Sequence, residues 1–452
     1  MRRILFIAYH FPPVGGGAVQ RHVGFARHLG RFGYTPVVVT GPGGGDHYWA
    51  PADEQLGDTI EGGVEVHRVP GPTPPPIGRL RGRFDRLLDR RGPWLNWWIE
   101  GAIEVGARVG RTCDLVYASL EPYRTAEAAS EISRLTGLPW VADLQDPWAL
   151  DEMRTSMSAL HHANDLRAMH RGLSSAAAIV MNVPEAAKRV RRRFPDLADR
   201  VTPAITNGFE GEDFVGDPPP RDDHVFRVVH TGYLHTELGL RHRERRRLRR
   251  MIGGSYCDVD ILTRSHFFLR QAIDRLIESD PGVAGSIEVH LAGVLNDADR
   301  AVAEGADYFR TPGYLPHGST VELIRSADLL FLPMQELAGG ERAGLTPGKT
   351  YEYVASGRPI LAAVPPGDAR ELLVAAGTGR ICSPSDVAAM TSILREQVEK
   401  WRRREPHPPL DEEVAARYER LELTRQLAGV FDDVLGAGRA TPHVPAAAEA
   451  FV

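Results

Sequence analysis

Lysine is nearly missing from this chain: of 54 lysines and arginines, only Lys188, Lys349 and Lys400 are lysines. The formal net charge is −5, so the strongly basic balance that tracks a nucleic-acid backbone is lacking and no nucleic-acid partner is expected. Cysteine is scarce as well. Cys113, Cys257 and Cys382 are far apart and odd in number, which excludes a disulfide framework and a zinc pattern and predicts a reducing, cytoplasmic setting. No stretch approaches the roughly 18 apolar residues of a membrane span. The run RILFIAY (3–9) stops at His10 and two prolines, too short for a signal-peptide core with a cleavage site.

The usual nucleotide fingerprints are incomplete too. In YHFPPVGGGAVQRH (9–22), Gly15 and Gly17 fit the first two positions of G-x-G-x-x-G, but Gln20 takes the third. The next apolar run, TPVVVT (35–40), ends without the acidic residue that would hold a dinucleotide ribose. No Gly-Lys-Ser/Thr closes that loop, so a P-loop is absent there. A tight strand-to-helix turn remains, with backbone open to close approach by a ligand.

What is present is alternation. Short apolar runs at 3–9, 35–40, 64–69, 115–119, 139–144 and 177–182 are separated by longer helical patterns. After the proline-rich DPPPRDD (217–223) the pattern restarts, with runs at 226–232, 287–293, 329–333, 359–364 and 379–383. Such alternation predicts parallel sheets with crossover helices. We therefore expect an α/β protein of two doubly wound, Rossmann-like domains facing across a cleft, over 1–212 and 213–410. An amphipathic helix at 411–436 should cross back to the first domain, with a disordered Gly- and Ala-rich tail over 437–452. Ligands of α/β folds bind at the carboxyl ends of the strands, so function belongs in the cleft.

Four stretches carry a likeness. YHFPPVGGGAVQRHVGFARHLGRFGYTPVVVT, PAITNGFEGEDF, YLPHGSTVELIRSADLLFLP and TPGKTYEYVASGRPILA, in that order, resemble the two-domain GT-B glycosyltransferases, and among them the retaining group called family 4. The resemblance implies transfer of a sugar from a nucleoside-diphosphate sugar to an acceptor hydroxyl with retention, and without a metal cofactor. It leaves two alternatives, a GT-B sugar-nucleotide epimerase and a non-catalytic sugar-nucleotide-binding module.

The resemblance also assigns residues. Glu352 matches the second glutamate of the family's E-x7-E pair, whose carboxylate accepts from the ribose diol. The first of the pair falls on Gly344, a departure, and Glu341 is the nearest substitute. The second domain's first loop begins at Gly232. If 236–263 is an insertion, Arg264 takes the place of the family's loop lysine, and Arg264 with Lys349 should clamp the diphosphate. Backbone amides near Thr346 and Thr350 should assist.

In the first domain PWVADLQDPWALD (139–151) should bring Asp143, Gln145 and Asp146 to the cleft with Trp148 as a wall. Gln145 or Asp146 would hold the sugar or orient the acceptor; the alternative reading of Asp146 is a helix N-cap. His10, Gly15, Gly16 and Gly17 form the expected acceptor-side lip. The acceptor would be a lipid-linked saccharide or small glycoside. Peripheral membrane contact through 79–103, rich in arginine and tryptophan, or through RHRERRRLRR (241–250) would serve a lipid acceptor; a core-packed helix and a solvated face explain them equally. The D-x-D of CDVD (257–260) reads as structure rather than as a metal site.

Overall fold

The computed structural model describes residues 1–43, 53, 56, 64–71, 73–74, 90–156, 158–218, 220–221, 223–245, 251, 256–407 and 409–440. Two parallel sheets form its frame. The first holds β1 (Arg2–Ile7), β2 (Tyr34–Thr40), β3 (Glu65–Arg68), β4 (Leu115–Ser119), β5 (Trp140–Leu144) and β6 (Ala178–Met181), ordered β3-β2-β1-β4-β5-β6. The second holds β7 (Phe226–Thr231), β9 (Ile287–Ala292), β10 (Phe309–Gly313), β11 (Leu329–Pro333), β13 (Ile360–Ala363) and β14 (Gly379–Cys382), ordered β10-β9-β7-β11-β13-β14. Counted within each domain, both orders are 3-2-1-4-5-6. Each sheet therefore has a switch point, between β1 and β4 and between β7 and β11, where crossovers leave to opposite sides and open a crevice.

The central strands are nearly continuous apolar runs because helices cover both of their faces. Residues 4–9 and 115–118 are all buried. The apolar runs in the sequence mark these strands well, and β10 is the main one they miss. Its FRTPG is largely exposed and contains Pro312, which an edge position tolerates because the missing N–H faces outward.

The expected C-terminal helix divides. Glu412–Ala416 and Arg420–Ala440 are separate helices, and the second continues past the expected end at 436. Its Leu423, Leu427, Phe431 and Val434 pack with Ile4, Phe6, Phe25 and Tyr34, so the chain returns to the first domain. Residues 441–452, the rest of the expected disordered tail, lie outside the described residues. Among the described residues no helix is long and apolar enough to cross a membrane.

Candidate active site

The carboxyl ends of both sheets face a cleft of ≈ 400 Å³. Loops after β4, β5 and β6 bring Glu121, Gln145, Asp146 and Asn182 to one wall, and the second domain brings Gly232, His235, Arg264, Lys349 and Glu352 to the other.

The second-domain wall is basic. At the end of β7, Gly232 takes a positive φ of 86°. A Cβ there would stand 3.1 Å from Lys349 Nζ, so glycine lets the ammonium lie against the turn. Lys349 Nζ lies 3.1 Å from His230 Nε2, while His230 Nδ1 lies 3.0 Å from the Phe331 carbonyl. That carbonyl can only accept, which assigns the ring proton to Nδ1 and leaves Nε2 to accept from the lysine. Burial and the Arg264 charge push Lys349 down to about 7, with Glu352 acting the other way. His235 is driven down to about 2 by burial, then by Arg264 and Lys349. A depressed lysine beside a neutral histidine is the signature of concentrated positive potential.

Arg264 reaches this wall by a detour. After β7 the chain forms the helix Thr236–Glu244, and returns through the short β8 (Val259–Asp260), which pairs antiparallel with β12 (Glu336–Leu337). The His235 N–H donates to the Arg264 carbonyl at 3.0 Å, so the two ends of the detour meet at the cleft. Its D-x-D is structural at Asp260, whose carboxylate accepts from Arg243 at 2.6 Å and from the Leu262 N–H at 3.2 Å. Residues 246–250, the second half of the arginine run, lie outside the described residues. Arg241 pairs with Glu237 at 3.0 Å.

Glu352 sits in the first turn of the helix Lys349–Ala355 and lines the cleft, 9% exposed. His317 stands nearby. Burial lowers its pKa, but the hydrogen bond with Asp213 at 2.8 Å and the Glu352 charge outweigh this and raise it. Thr346 lines the cleft, and its buried Oγ1 has no protein partner. Thr350 does not line it: the side chain is fully buried, and its N–H donates to the Pro347 carbonyl. The turn thus uses an amide that was expected to face the diphosphate.

The first-domain wall is acidic. Desolvation by the surrounding protein and then the Asp146 charge push Glu121 up to about 7. Asp146 is raised by desolvation, with Arg264 opposing and Glu152 reinforcing. Both residues keep solvent-exposed surface and open onto the cleft, so the protein crowds these carboxylates without enclosing them. Gln145 is anchored by its Nε2, 3.0 Å from His22 Nε2, which in turn lies 2.7 Å from Ser119 Oγ. Sequence reasoning missed Glu121, although it directly follows the strand that flanks the switch point, a position that could have flagged it.

Several expectations need correction. Gly16 and Gly17 line the cleft, but Gly15 and His10 do not. Gly15 is buried, and the His10 carbonyl is instead 3.0 Å from His22 Nδ1, tying the loop to the helix Gly17–His28. Asp143 never emerges: fully buried, it pairs with Arg21 at 2.9 Å and accepts from Tyr117 OH at 2.5 Å. Trp148 is buried and stacked on Tyr123 with centroids 5.1 Å apart, so it belongs to the core and not to the cleft wall.

Glu341 is exposed and outside the cleft lining, and does not replace the missing glutamate at Gly344. The tryptophans of 79–103 pack inward. Trp98 is fully buried and donates to Thr125 Oγ1 at 2.9 Å, and Trp94 donates to Tyr9 OH at 3.1 Å. The aromatic half of the membrane-surface argument is thereby accounted for by core packing. Residues 79–89 lie outside the described residues.

No protein-family model matches the chain, and no curated protein does. Solved structures do. Anabaena HepE in complex with UDP-glucose aligns with a TM-score of 0.62 at 15% identity, covering 96% of this chain and 100% of that one. A putative UDP-N-acetylglucosamine 2-epimerase from Listeria monocytogenes aligns at 0.57 and 11%, covering 96% and 97%. The lipopolysaccharide outer core galactosyltransferase WaaB aligns at 0.53 and 10%, covering 96% and 99%. Two sheets of order 3-2-1-4-5-6 facing across one cleft, matched over nearly the whole chain, establish the GT-B fold.

Proposed function

We propose that the protein is a glycosyltransferase that moves a sugar from a nucleoside-diphosphate sugar to a saccharide hydroxyl, free or lipid-linked, with retention and without a metal. The observation that carries this reading is the pairing of Arg264 with Lys349 on the wall that also presents Glu352. Two cations on one wall, the lysine's pKa lowered by burial and then by the arginine's charge, match a diphosphate better than any neutral group. The Glu352 carboxylate suits a ribose diol, which donates two hydrogen bonds. HepE with UDP-glucose supports a sugar nucleotide as the ligand.

In the transfer step the bond between the anomeric carbon and the diphosphate oxygen breaks on the same face as the acceptor oxygen attacks. The acceptor's proton passes to the departing phosphate oxygen. Arg264 and Lys349 hold the charge that develops there, while Gln145 and Asp146 orient the acceptor. Arginine and lysine do the charge-neutralising work otherwise given to a divalent ion, so turnover should survive EDTA.

One observation favours a second reading. Glu121 is raised to about 7 and Asp146 is raised as well, which gives the cleft a carboxyl that can exchange protons near neutral pH beside a second one, as epimerisation of the sugar nucleotide requires and front-face transfer does not. Thermal shift against a panel of nucleoside diphosphates, followed by incubation with the matching sugar nucleotides in D2O, separates the readings. Slow donor hydrolysis without carbon-bound deuterium supports transfer. Deuterium in a changed sugar nucleotide supports epimerisation, binding without turnover indicates a binding module, and no binding at millimolar concentration defeats all three.

A further inference from the structure

A buried ion pair behind the cleft crosses between the domains, and the transfer step does not use it. Glu152 and Arg189 belong to the first domain and are 0% and 2% exposed. Glu152 Oε2 accepts from Arg189 Nη1 at 2.5 Å. Its Oε1 accepts from Gln335 Nε2 at 2.9 Å and from the Gly344 N–H at 3.0 Å, both in the second domain. Arg189 crosses as well, donating to the Arg342 carbonyl at 2.5 Å. A Cβ on Gly344 would stand 2.5 Å from Arg189 Nη1, so any other residue would push the guanidinium off its buried partners. The departure at 344 thus has a physical cause: the guanidinium occupies the space a side chain would need. A carboxylate still reaches this place, but it comes from the other domain.

Gly344 begins the segment that continues through Thr346, which lines the cleft, to Lys349. We propose that Glu152 is a positioning residue for the diphosphate site, holding the segment Gly344–Lys349 from the opposite domain. Charge-assisted hydrogen bonds in a buried site are strongly directional, and parting the domains here would break those to Gln335, Gly344 and Arg342 together. Gripping the diphosphate and holding the domains together become one event. The inference rests on the cleft being a sugar-nucleotide site.

The test compares UDP with uridine, which lacks the phosphates that Lys349 and Arg264 would meet. Removing one partner would leave a buried charge uncompensated, so the main variant neutralises both, Glu152→Gln with Arg189→Met. Titration calorimetry on the full chain should show UDP binding weakened at least about tenfold, with uridine binding within about twofold of wild type. If that variant does not fold, the same ratio is read on Glu152→Asp, which keeps a negative charge for Arg189 and shortens the reach to Gly344. A loss of about threefold for UDP only is then expected. Equal weakening of both ligands, or no change in either, overturns the inference while leaving the sugar-nucleotide reading intact. If the panel shows another nucleoside diphosphate bound in place of UDP, that diphosphate and its nucleoside replace UDP and uridine in the comparison; failure of the wild type to bind any of them at millimolar concentration defeats the reading and the inference with it.

Discussion

The two walls of the cleft carry opposite charge, and they acquire it differently. On the second-domain wall a glycine turn, a detour and a helix start bring Arg264 and Lys349 to one site, and burial followed by the Arg264 charge lowers the lysine to about 7. On the first-domain wall desolvation likewise leads the rise in Glu121 and Asp146, with the Asp146 charge adding to it at Glu121 and the Arg264 charge opposing it at Asp146. Desolvation leads on both walls; what differs is the second cause, a like charge on the same wall for Lys349 and an opposite charge from across the cleft for Asp146. A basic wall facing an acidic one suits the proposed substrate pair, an anionic leaving group and an arriving hydroxyl. The comparison also assigns opposite roles, which mutation can exchange or erase.

Removing a cation from the basic wall should do most. Arg264→Gln is expected to lower turnover by about 100-fold, the usual cost of losing one preorganised charge at a leaving group, as measured by donor hydrolysis. Glu352→Ala should weaken UDP binding by roughly 30-fold through loss of the ribose contact, read by calorimetry. An unchanged dissociation constant would remove Glu352 from the site. On the acidic wall, Asp146→Asn should reduce turnover about tenfold while leaving UDP affinity intact. If UDP affinity falls instead, the walls are not divided as described.

A smaller effect follows from pH. Below about pH 7 Lys349 already carries its proton in the free protein. Above that pH an arriving diphosphate must draw a proton onto it, so UDP affinity should decline between about pH 7 and pH 9, by up to tenfold per unit. Flat affinity across that range would show that Lys349 does not meet the anion. The smallest change belongs to the glycine lip. Gly17 has open space around its Cβ direction, so Gly17→Ala should leave the melting temperature unchanged and reduce only turnover. Gly16, at φ 107°, should lose about 1–2 kcal/mol of stability on the same replacement, seen in chemical denaturation.

Much of the frame was legible in the sequence because buried parallel strands have no choice but to be apolar. Each run of β1, β2, β4, β5 and β6 declares itself, while β10 is hidden by its exposed edge and Pro312. The second-domain wall was legible where one short segment meets the cleft twice, as Lys349 and Glu352 do within a single helical turn. It was not legible where position depends on a neighbour. Asp143 looks like a cleft residue until Arg21 claims it, and Trp148 looks like a wall until it stacks on Tyr123. Glu341 looks like a substitute glutamate, but it faces solvent.

By itself, then, the sequence determined two parallel sheets, the cleft between them and the identity of one cleft-facing helix, because hydrophobic period and helix-start chemistry are local properties. Tertiary structure decided which charged groups meet. Arg264 joins Lys349 only because the detour's ends close at His235, and Gly344 is bare only because Arg189 lies across it. Pairings between residues some 85 to 192 positions apart, such as Lys349 with Arg264 and Gly344 with Glu152, leave no periodic trace along a chain. They are set by packing and desolvation, which exist only once the domains have come together.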